Sequence, residues 1–251
     1  KICLFSFFFA ISQNAFASNR NLTIFAEQNM VPALIEIVNI FSEENNVTIS
    51  VNFNSSLESI NEIDLGEPAN IFISAHSGII DTLKQKGLVD VYNIGYIAQD
   101  QLQLVTSKNN PNIDSRLLSK NITLQNALKI LNSIKASVIT DQAEVTSGLY
   151  SDQLIKSLSL TKIKLFKKLG EDKTSIFDII HNSPANYALL LKSQTINRDE
   201  IMVLASSKKD NIFYQALVIA GDDMKTSREF LKFLKNPKIT NILQKNGFTV
   251  N

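Results

Sequence analysis

The first third of the chain alternates between short apolar runs and longer amphipathic segments. The apolar runs predict strands buried on both faces, as in a parallel sheet, at residues 22–26, 47–53 and 71–73. Between and after them, apolar residues recur every three or four positions, which predicts helices over residues 30–45, 56–65 and 78–86. Gly66 and Gly87 follow the last two helices as stop signals. This order predicts an α/β fold with a largely parallel sheet.

The rest of the chain starts a second series after a loop at Lys108 to Pro111. Strands are predicted at residues 102–105, 136–140, 163–166, 202–204 and 216–220. Helices are predicted at residues 147–158, 174–180, 225–234 and 238–245, with Pro237 at the start of the last. The second series indicates a second α/β unit.

Ligands on such sheets gather at the carboxyl ends of the strands. Residues 27–30, 54–56 and 75–77 fall at that edge. At the second of these junctions Ser55 and Ser56 stand where a helix begins, so hydroxyls and unpaired backbone N–H groups converge. That arrangement suits a small anion. A simple helix cap is the alternative explanation for Ser56.

Charge gives no reason to expect binding to nucleic acid or to a membrane surface, because 25 basic residues stand against 24 acidic ones. Residues 1–17 read as a signal peptide: Lys1, a Phe-rich apolar run, then Ala-Phe-Ala. A short membrane anchor is the alternative. Removal of Lys1 leaves 24 basic residues and a formally neutral chain. An anion must then be held by local dipoles or a local cation.

The sequence contains few residues that indicate a catalytic or a metal-binding site. Cys3, the single cysteine, lies in the signal segment. His76 and His181 lack the spacing of a metal site, and no direct metal ligands are expected. No Gly-rich phosphate loop and no G-x-S-x-G motif is present. Ser56 as a nucleophile would have no base near it in sequence.

Several segments resemble the periplasmic molybdate-binding proteins, the solute receptors of molybdate ABC transporters. Residues 66–75, GEPANIFISA, are similar to that family's G-x-P-A-D-[LI]-F-I-S-A segment, with Asn70 for Asp. Residues 145–150, VTSGLY, are similar to its V-P-A-G-x-Y segment. Its C-terminal signature is matched by AGDDM at 220–224, FLKFLKNP at 230–237 and NGFTV at 246–250. The likeness runs in collinear order from Leu22 to Val250.

The resemblance implies a two-lobed periplasmic-binding-protein fold of type II. Each lobe would be a mostly parallel sheet flanked by helices, hinged by crossing strands. Lobe one would comprise residues 20–100 and 207–251, and lobe two residues 101–206. The family's members are not enzymes and need no cofactor. The chain would be a periplasmic monomer that captures molybdate or tungstate between its lobes, closes by a hinge motion, and delivers the oxyanion to an inner-membrane ABC permease.

The resemblance also implies a set of ligand-binding positions. Ser56 matches a contacting hydroxyl, with Ser55 before it, and Asn29 stands where the family has its other contacting serine, preceded by Gln28. Ser147 replaces a small residue that supplies a backbone N–H, and its hydroxyl would add a donor. Lys173 falls at a contacting loop of the second lobe, with Thr174 as a helix cap. Leu189 aligns with the family's cleft tyrosine, and Tyr187 could substitute for it.

Some of these positions depart from the family's pattern. Asn29 is bulkier than serine, Leu189 removes a hydroxyl, and Glu27 would repel a dianion unless its side chain faces away from the cleft. The departures leave open a receptor for another oxyanion or a small organic solute. An enzyme that uses Ser56, and an interaction protein that has lost its ligand, are the alternatives from other classes.

Overall fold

The strands form two five-stranded sheets. The computed structural model describes residues 20–168, 175–183, 186–207, 212–221 and 224–250. The predicted signal peptide, residues 1–17, lies outside these ranges, as does Lys173 with its neighbour Thr174.

The first sheet has the order β2-β1-β3-β10-β4. Its strands are β1 (Arg20–Ala26), β2 (Val47–Phe53), β3 (Ile71–Ser74), β4 (Val89–Asp100) and β10 (Ile212–Ile219). Strand β10 is antiparallel to both of its neighbours, while β1 pairs in parallel with β2 and β3. Four of the five strands therefore point the same way. The helices of this lobe are α1 (Val31–Asn45), α2 (Ser56–Asp64), α3 (Ser77–Gln85), α8 (Lys225–Phe233) and α9 (Pro237–Lys245).

The second sheet repeats this plan in the order β7-β6-β8-β5-β9, with β5 reversed. Its strands are β5 (Leu102–Ser107), β6 (Ser137–Thr140), β7 (Lys164–Lys167), β8 (Tyr187–Leu191) and β9 (Ile201–Ser206). Its helices are α4 (Leu124–Ser133), α5 (Thr146–Ser157), α6 (Ile176–Asn182) and α7 (Lys192–Thr195). The predicted two-lobed α/β fold is confirmed. The chain passes from one sheet to the other between β4 and β5, and returns between β9 and β10.

Helix α1 shows how the pattern of apolar residues produces the core. Leu34, Ile37 and Phe41 recur at helical spacing and are all buried. The Phe41 ring meets the rings of Phe230 and Phe233 on α8, at centroid distances of 5.0 and 5.1 Å. These edge and tilted contacts fix α8 against α1 in the first lobe.

Four of the helices and strands given above were not predicted from the sequence, one of them the four-residue helix α7. Strand β4 alternates irregularly between buried and exposed positions at the edge of its sheet, so it carries little periodic signal. Strand β8 is continuously buried, and a short apolar run without alternation does not distinguish a strand from a buried helix segment. Helix α4 buries Leu124, Leu128 and Leu131 behind a Thr123 cap, a spacing that the sequence does display.

No helix within the described ranges combines the length and apolar character needed to cross a membrane.

Candidate functional site

A cavity of about 560 Å³ lies between the two lobes. The first lobe lines it with residues that follow β1 and β2, including Gln28, Asn54 and Ser55. The second lobe contributes the segment between β6 and α5, together with the start of α6. The cavity therefore sits at the strand ends where the sequence predicts ligands to gather.

Three hydroxyl groups meet around the side chain of Glu27, which lines this cavity. They belong to Ser56, Ser74 and Thr146 and are called the hydroxyl cluster. All three donate to one atom, Oε1 of Glu27, at 2.6, 2.6 and 2.7 Å. The Ala75 backbone N–H points at the same oxygen from 3.4 Å. A carboxylate oxygen with this many donors has the environment of a bound oxyanion.

The fold explains why these groups meet. Glu27 follows the last residue of β1, and Ser74 is the last residue of the neighbouring strand β3. Ser56 is the first residue of α2 and Thr146 the first of α5. Each hydroxyl thus stands at a strand end or a helix N-terminus. All three side chains are buried, and Glu27 is only 4% exposed.

The sequence indicates that Glu27 would repel a dianion unless its side chain faced away from the cleft. Instead its carboxylate points inward and fills the hydroxyl cluster. Ser56 and Ser74 are fully buried behind it, whereas Glu27 and Thr146 line the cavity. Sequence reasoning noted Glu27 only as a source of repulsion, and it missed Ser74 and Thr146. The position of Ser74 at the end of a buried strand was the available signal.

The sequence left open whether Ser56 caps helix α2 or contacts a ligand, and the structure gives the capping role to Ser55. Ser55 is the helix cap: its hydroxyl accepts from Glu58 N–H at 3.2 Å, and the Glu58 carboxylate accepts from Ser55 N–H at 2.9 Å. Ser56 is therefore free of capping, and its hydroxyl belongs to the cluster. Ser55 and the exposed Gln28 both line the cavity.

Asn29 lines the cavity as well, but its amide protons serve the junction between the lobes. Its Nδ2 donates to Ser193 Oγ at 2.9 Å and to the Tyr214 hydroxyl at 2.6 Å. Ser193 lies in α7 of the second lobe, and Tyr214 lies in β10 of the first sheet. In this arrangement the amide holds the two lobes together.

Ser147 lies in the first turn of α5 and lines the cavity. Its hydroxyl, predicted as an additional donor to the ligand, donates to Asp141 Oδ2 in this structure. The cap residue Val145 provides no side-chain bond, which leaves the first N–H groups of α5 without a side-chain cap. These amides, together with the Thr146 hydroxyl, are donors that the second lobe presents to the cavity.

Leu189 and Tyr187 lie away from the cavity. Leu189 is fully buried in the core of the second lobe, where it pairs with Leu104 on β5. The Tyr187 hydroxyl donates to the Asn112 carbonyl at 3.5 Å. Their neighbours Leu190 and Leu191 are the residues of β8 that reach the cavity.

The cavity is acidic along its described lining. Four carboxylates, those of Glu27, Glu58, Asp141 and Glu144, face a single described cation, Lys168. Lys168 follows β7, five residues before the predicted contact Lys173. Burial raises the pKa of the Tyr150 phenol, and the charge on Glu27 raises it further.

Direct bonds also join the two lobes beside the hydroxyl cluster. His76 Nδ1 accepts from Ile79 N–H at 3.4 Å as the cap of α3, and its Nε2 lies 3.3 Å from the Ala143 carbonyl oxygen of the second lobe. The Tyr150 hydroxyl donates to the Ala75 carbonyl at 3.3 Å. Across the described residues, no group of three His, Cys, Asp or Glu side chains could hold a metal ion.

Comparison with known proteins identifies the family. The model of the family described as "Bacterial extracellular solute-binding protein" matches residues 22–249. The chain belongs to this family. As a member it is a solute-binding transport protein, and the family's extracellular placement implies that it is exported.

Individual relatives agree with this assignment. The solute-binding protein is 26% identical over 247 residues to the molybdate-binding protein ModA of Escherichia coli, an alignment that covers 96% of this chain and 94% of that one. The tungstate ABC transporter structure from Geobacter sulfurreducens superposes with a TM-score of 0.71 at 15% identity, over 89% of this chain and 97% of that one. The structure of the periplasmic molybdate-binding protein of Azotobacter vinelandii superposes with a TM-score of 0.64 at 16% identity, over 92% of this chain and 99% of that one. The two structures share the fold.

Proposed function

We propose that this solute-binding protein captures molybdate or tungstate between its lobes and delivers it to an ABC transporter permease in the inner membrane. The observation that carries the proposal is the convergence of three hydroxyls and one backbone N–H on a single carboxylate oxygen. The names of the Escherichia coli relative and of the Geobacter structure support these two oxyanions in particular.

The physical argument concerns desolvation. A dianion that enters a closing cleft loses its water, and this is costly unless each oxygen finds donors. The hydroxyl cluster supplies donors for one oxygen. The uncapped N-terminus of α5 supplies N–H groups and a favourable dipole for others. Donors fixed on two lobes also select for size, because a smaller oxyanion leaves some of them unpaired.

The remaining parts of the proposal follow from the same assignment. The protein acts as a periplasmic receptor exported by residues 1–17, works as a monomer, and carries out no catalysis. It needs no cofactor, since the transported oxyanion is its ligand.

Isothermal titration of the mature chain tests the assignment. We expect molybdate and tungstate to bind at micromolar concentration or tighter, and sulfate to bind at least about tenfold more weakly because it is smaller. Measured in Glu27→Ala, where no carboxylate competes for the hydroxyls, the added changes Ser56→Ala and Thr146→Val should lower the affinity by about tenfold or more, since charge-assisted hydrogen bonds contribute about 1.5–3 kcal/mol each.

Ser59→Ala is the matched control. Ser59 lies on the same helix as Ser56, and its buried hydroxyl has no hydrogen-bond partner among the described residues. This variant should bind like the wild type. If neither molybdate nor tungstate gives any heat, the oxyanion assignment is wrong, and a thermal-shift panel of other anions and metabolites would then identify the ligand class.

A further inference from the structure

The hydroxyl cluster is already saturated. Each hydroxyl has one proton, and Ser56, Ser74 and Thr146 all lie within donating distance of Glu27 Oε1, while Ser56 Oγ and Ser74 Oγ also lie 2.9 Å from each other. Ser74 also accepts from the His76 N–H at 2.8 Å, which orients its own proton toward Glu27. An incoming oxyanion finds none of these donors free.

We propose that Glu27 is an internal ligand of the oxyanion site, whose carboxylate occupies the hydroxyl cluster in the ligand-free protein and must leave before an oxyanion binds. This inference rests on the proposed function. The bound oxyanion and the Glu27 carboxylate cannot share the cluster, because they would compete for the same three protons. Their like charges would also repel at hydrogen-bonding distance.

Glu27 also joins the two lobes, as a ligand would. Its backbone belongs to the first lobe, and its carboxylate accepts from Thr146 at the start of α5 in the second, 119 positions away in sequence. Ser56 and Ser74 hold the same oxygen from the first lobe. The contacts of Glu27 therefore favour a closed cleft before any solute arrives.

Because Glu27 occupies the hydroxyl cluster, an anion binds only if its own interactions with the site are stronger than those of the Glu27 carboxylate. A monocarboxylate offers the hydroxyl cluster the same bonds as Glu27 but must also lose its translational freedom on binding. A tetrahedral dianion has further oxygens that can reach the N–H groups of α5. Glu27 thereby excludes weak anions and makes the site specific for multiply charged oxyanions.

The effect on affinity follows from the population of the occupied state. If Glu27 fills the cluster in about 90–99% of ligand-free molecules, the apparent affinity for an oxyanion falls by about 10- to 100-fold. Removing the Glu27 carboxylate should therefore raise the apparent affinity by about the same 10- to 100-fold.

The test compares Glu27→Ala with Glu144→Ala by titration with molybdate and tungstate. Glu144 is an exposed carboxylate that lines the same cavity, so its removal changes the charge of the cavity equally but leaves the cluster filled. We expect Glu27→Ala to bind about 10- to 100-fold more tightly than the wild type. Glu144→Ala should gain only about two- to threefold, an advantage that salt removes by screening.

A second measurement needs no metal oxyanion. Formate should raise the melting temperature of Glu27→Ala by filling the vacated cluster, and it should not stabilise the wild type or Glu144→Ala. Glu27→Gln, which keeps the shape of the side chain, provides a folded alternative and should also bind oxyanions more tightly than the wild type.

The outcomes separate the two proposals. Unchanged or weaker oxyanion affinity in folded Glu27→Ala and Glu27→Gln would overturn the internal-ligand role. A selective response of Glu27→Ala to formate, with no molybdate or tungstate binding by any variant, would support the internal ligand and reject the proposed solute.

Discussion

Replacing Gly148 with alanine is expected to destabilise the second lobe by about 3 kcal/mol or more, because the added methyl group has no room. A Cβ at this position would lie 1.8 Å from the Gln142 carbonyl oxygen and 2.6 Å from that of Asp141. Both atoms are backbone, so they cannot move aside as a flexible side chain would. Relief requires α5 to move away from the loop that precedes it.

That movement should also weaken ligand binding. Helix α5 carries Thr146 and the uncapped N–H groups that the second lobe presents to the cavity. Urea unfolding would give the loss of stability, and titration with molybdate the loss of affinity. Circular dichroism would establish whether the variant still folds.

Gly78→Ala is the matched control. Gly78 lies in the first turn of α3 in the other lobe, and the nearest atom to its added Cβ is a His76 side-chain atom at 3.7 Å, an ordinary contact. Alanine is the better helix former by up to about 1 kcal/mol, so this variant should be as stable as the wild type or slightly more so. Equal stability of the two alanine variants would contradict the argument.

Replacing Asp100 with asparagine is expected to change how stability depends on pH. Asp100 ends β4 where the chain leaves the first lobe, and it is 1% exposed. Its Oδ1 accepts from Gln101 N–H at 2.8 Å and Ser193 N–H at 3.3 Å, while its buried Oδ2 has no partner among the described residues. Burial raises the pKa of this carboxyl from 3.8 to about 6.

The raised pKa means that the folded state binds this proton more tightly than the unfolded state does. The contribution of Asp100 to stability is therefore fully present below about pH 4 and is lost as pH rises through about 6. A shift of about two pKa units corresponds to about 3 kcal/mol. The asparagine side chain does not titrate, so the stability of Asp100→Asn relative to the wild type should rise by up to that amount between about pH 4 and pH 7.

Urea unfolding of Asp100→Asn and the wild type between about pH 4 and pH 7 gives the difference in their free energies of unfolding. The contributions of the other titrating groups cancel in this difference. Asp90→Asn serves as a control in which the change of stability with pH should have the opposite sign. Hydrogen bonds from Arg228 lower the pKa of the Asp90 carboxyl, so its contribution is present above the unfolded pKa and lost as pH falls. Parallel curves for Asp100→Asn and the wild type would show that the buried carboxyl has no such effect.

Local sequence patterns predicted most helices and strands because each depends on neighbours a few positions away. Strand β2 has the predicted bounds, and α2 begins at the predicted residue, Ser56. Strand β4 was not predicted, since an edge strand with mixed burial lacks a regular period. The family resemblance located Ser56 and the start of α5, because those motifs are contiguous in sequence.

The orientation of side chains in the site could not be predicted in the same way. Asn29 lies beside the cavity, yet its amide bonds to Ser193 and Tyr214, 164 and 185 positions away. Leu189 occupies an aligned position but points into the core. Which face a side chain presents depends on packing between distant segments, which no local pattern records.

The sequence by itself determined the α/β architecture, the strand ends where a ligand gathers, and the family, because periodicity and short motifs are local properties of the chain. Only the tertiary structure decided what occupies that site. Ser56, Ser74 and Thr146 meet Glu27 from 29, 47 and 119 positions away. Their hydroxyls surround a carboxylate because strands β1 and β3 end, and helices α2 and α5 begin, at one point between the two lobes.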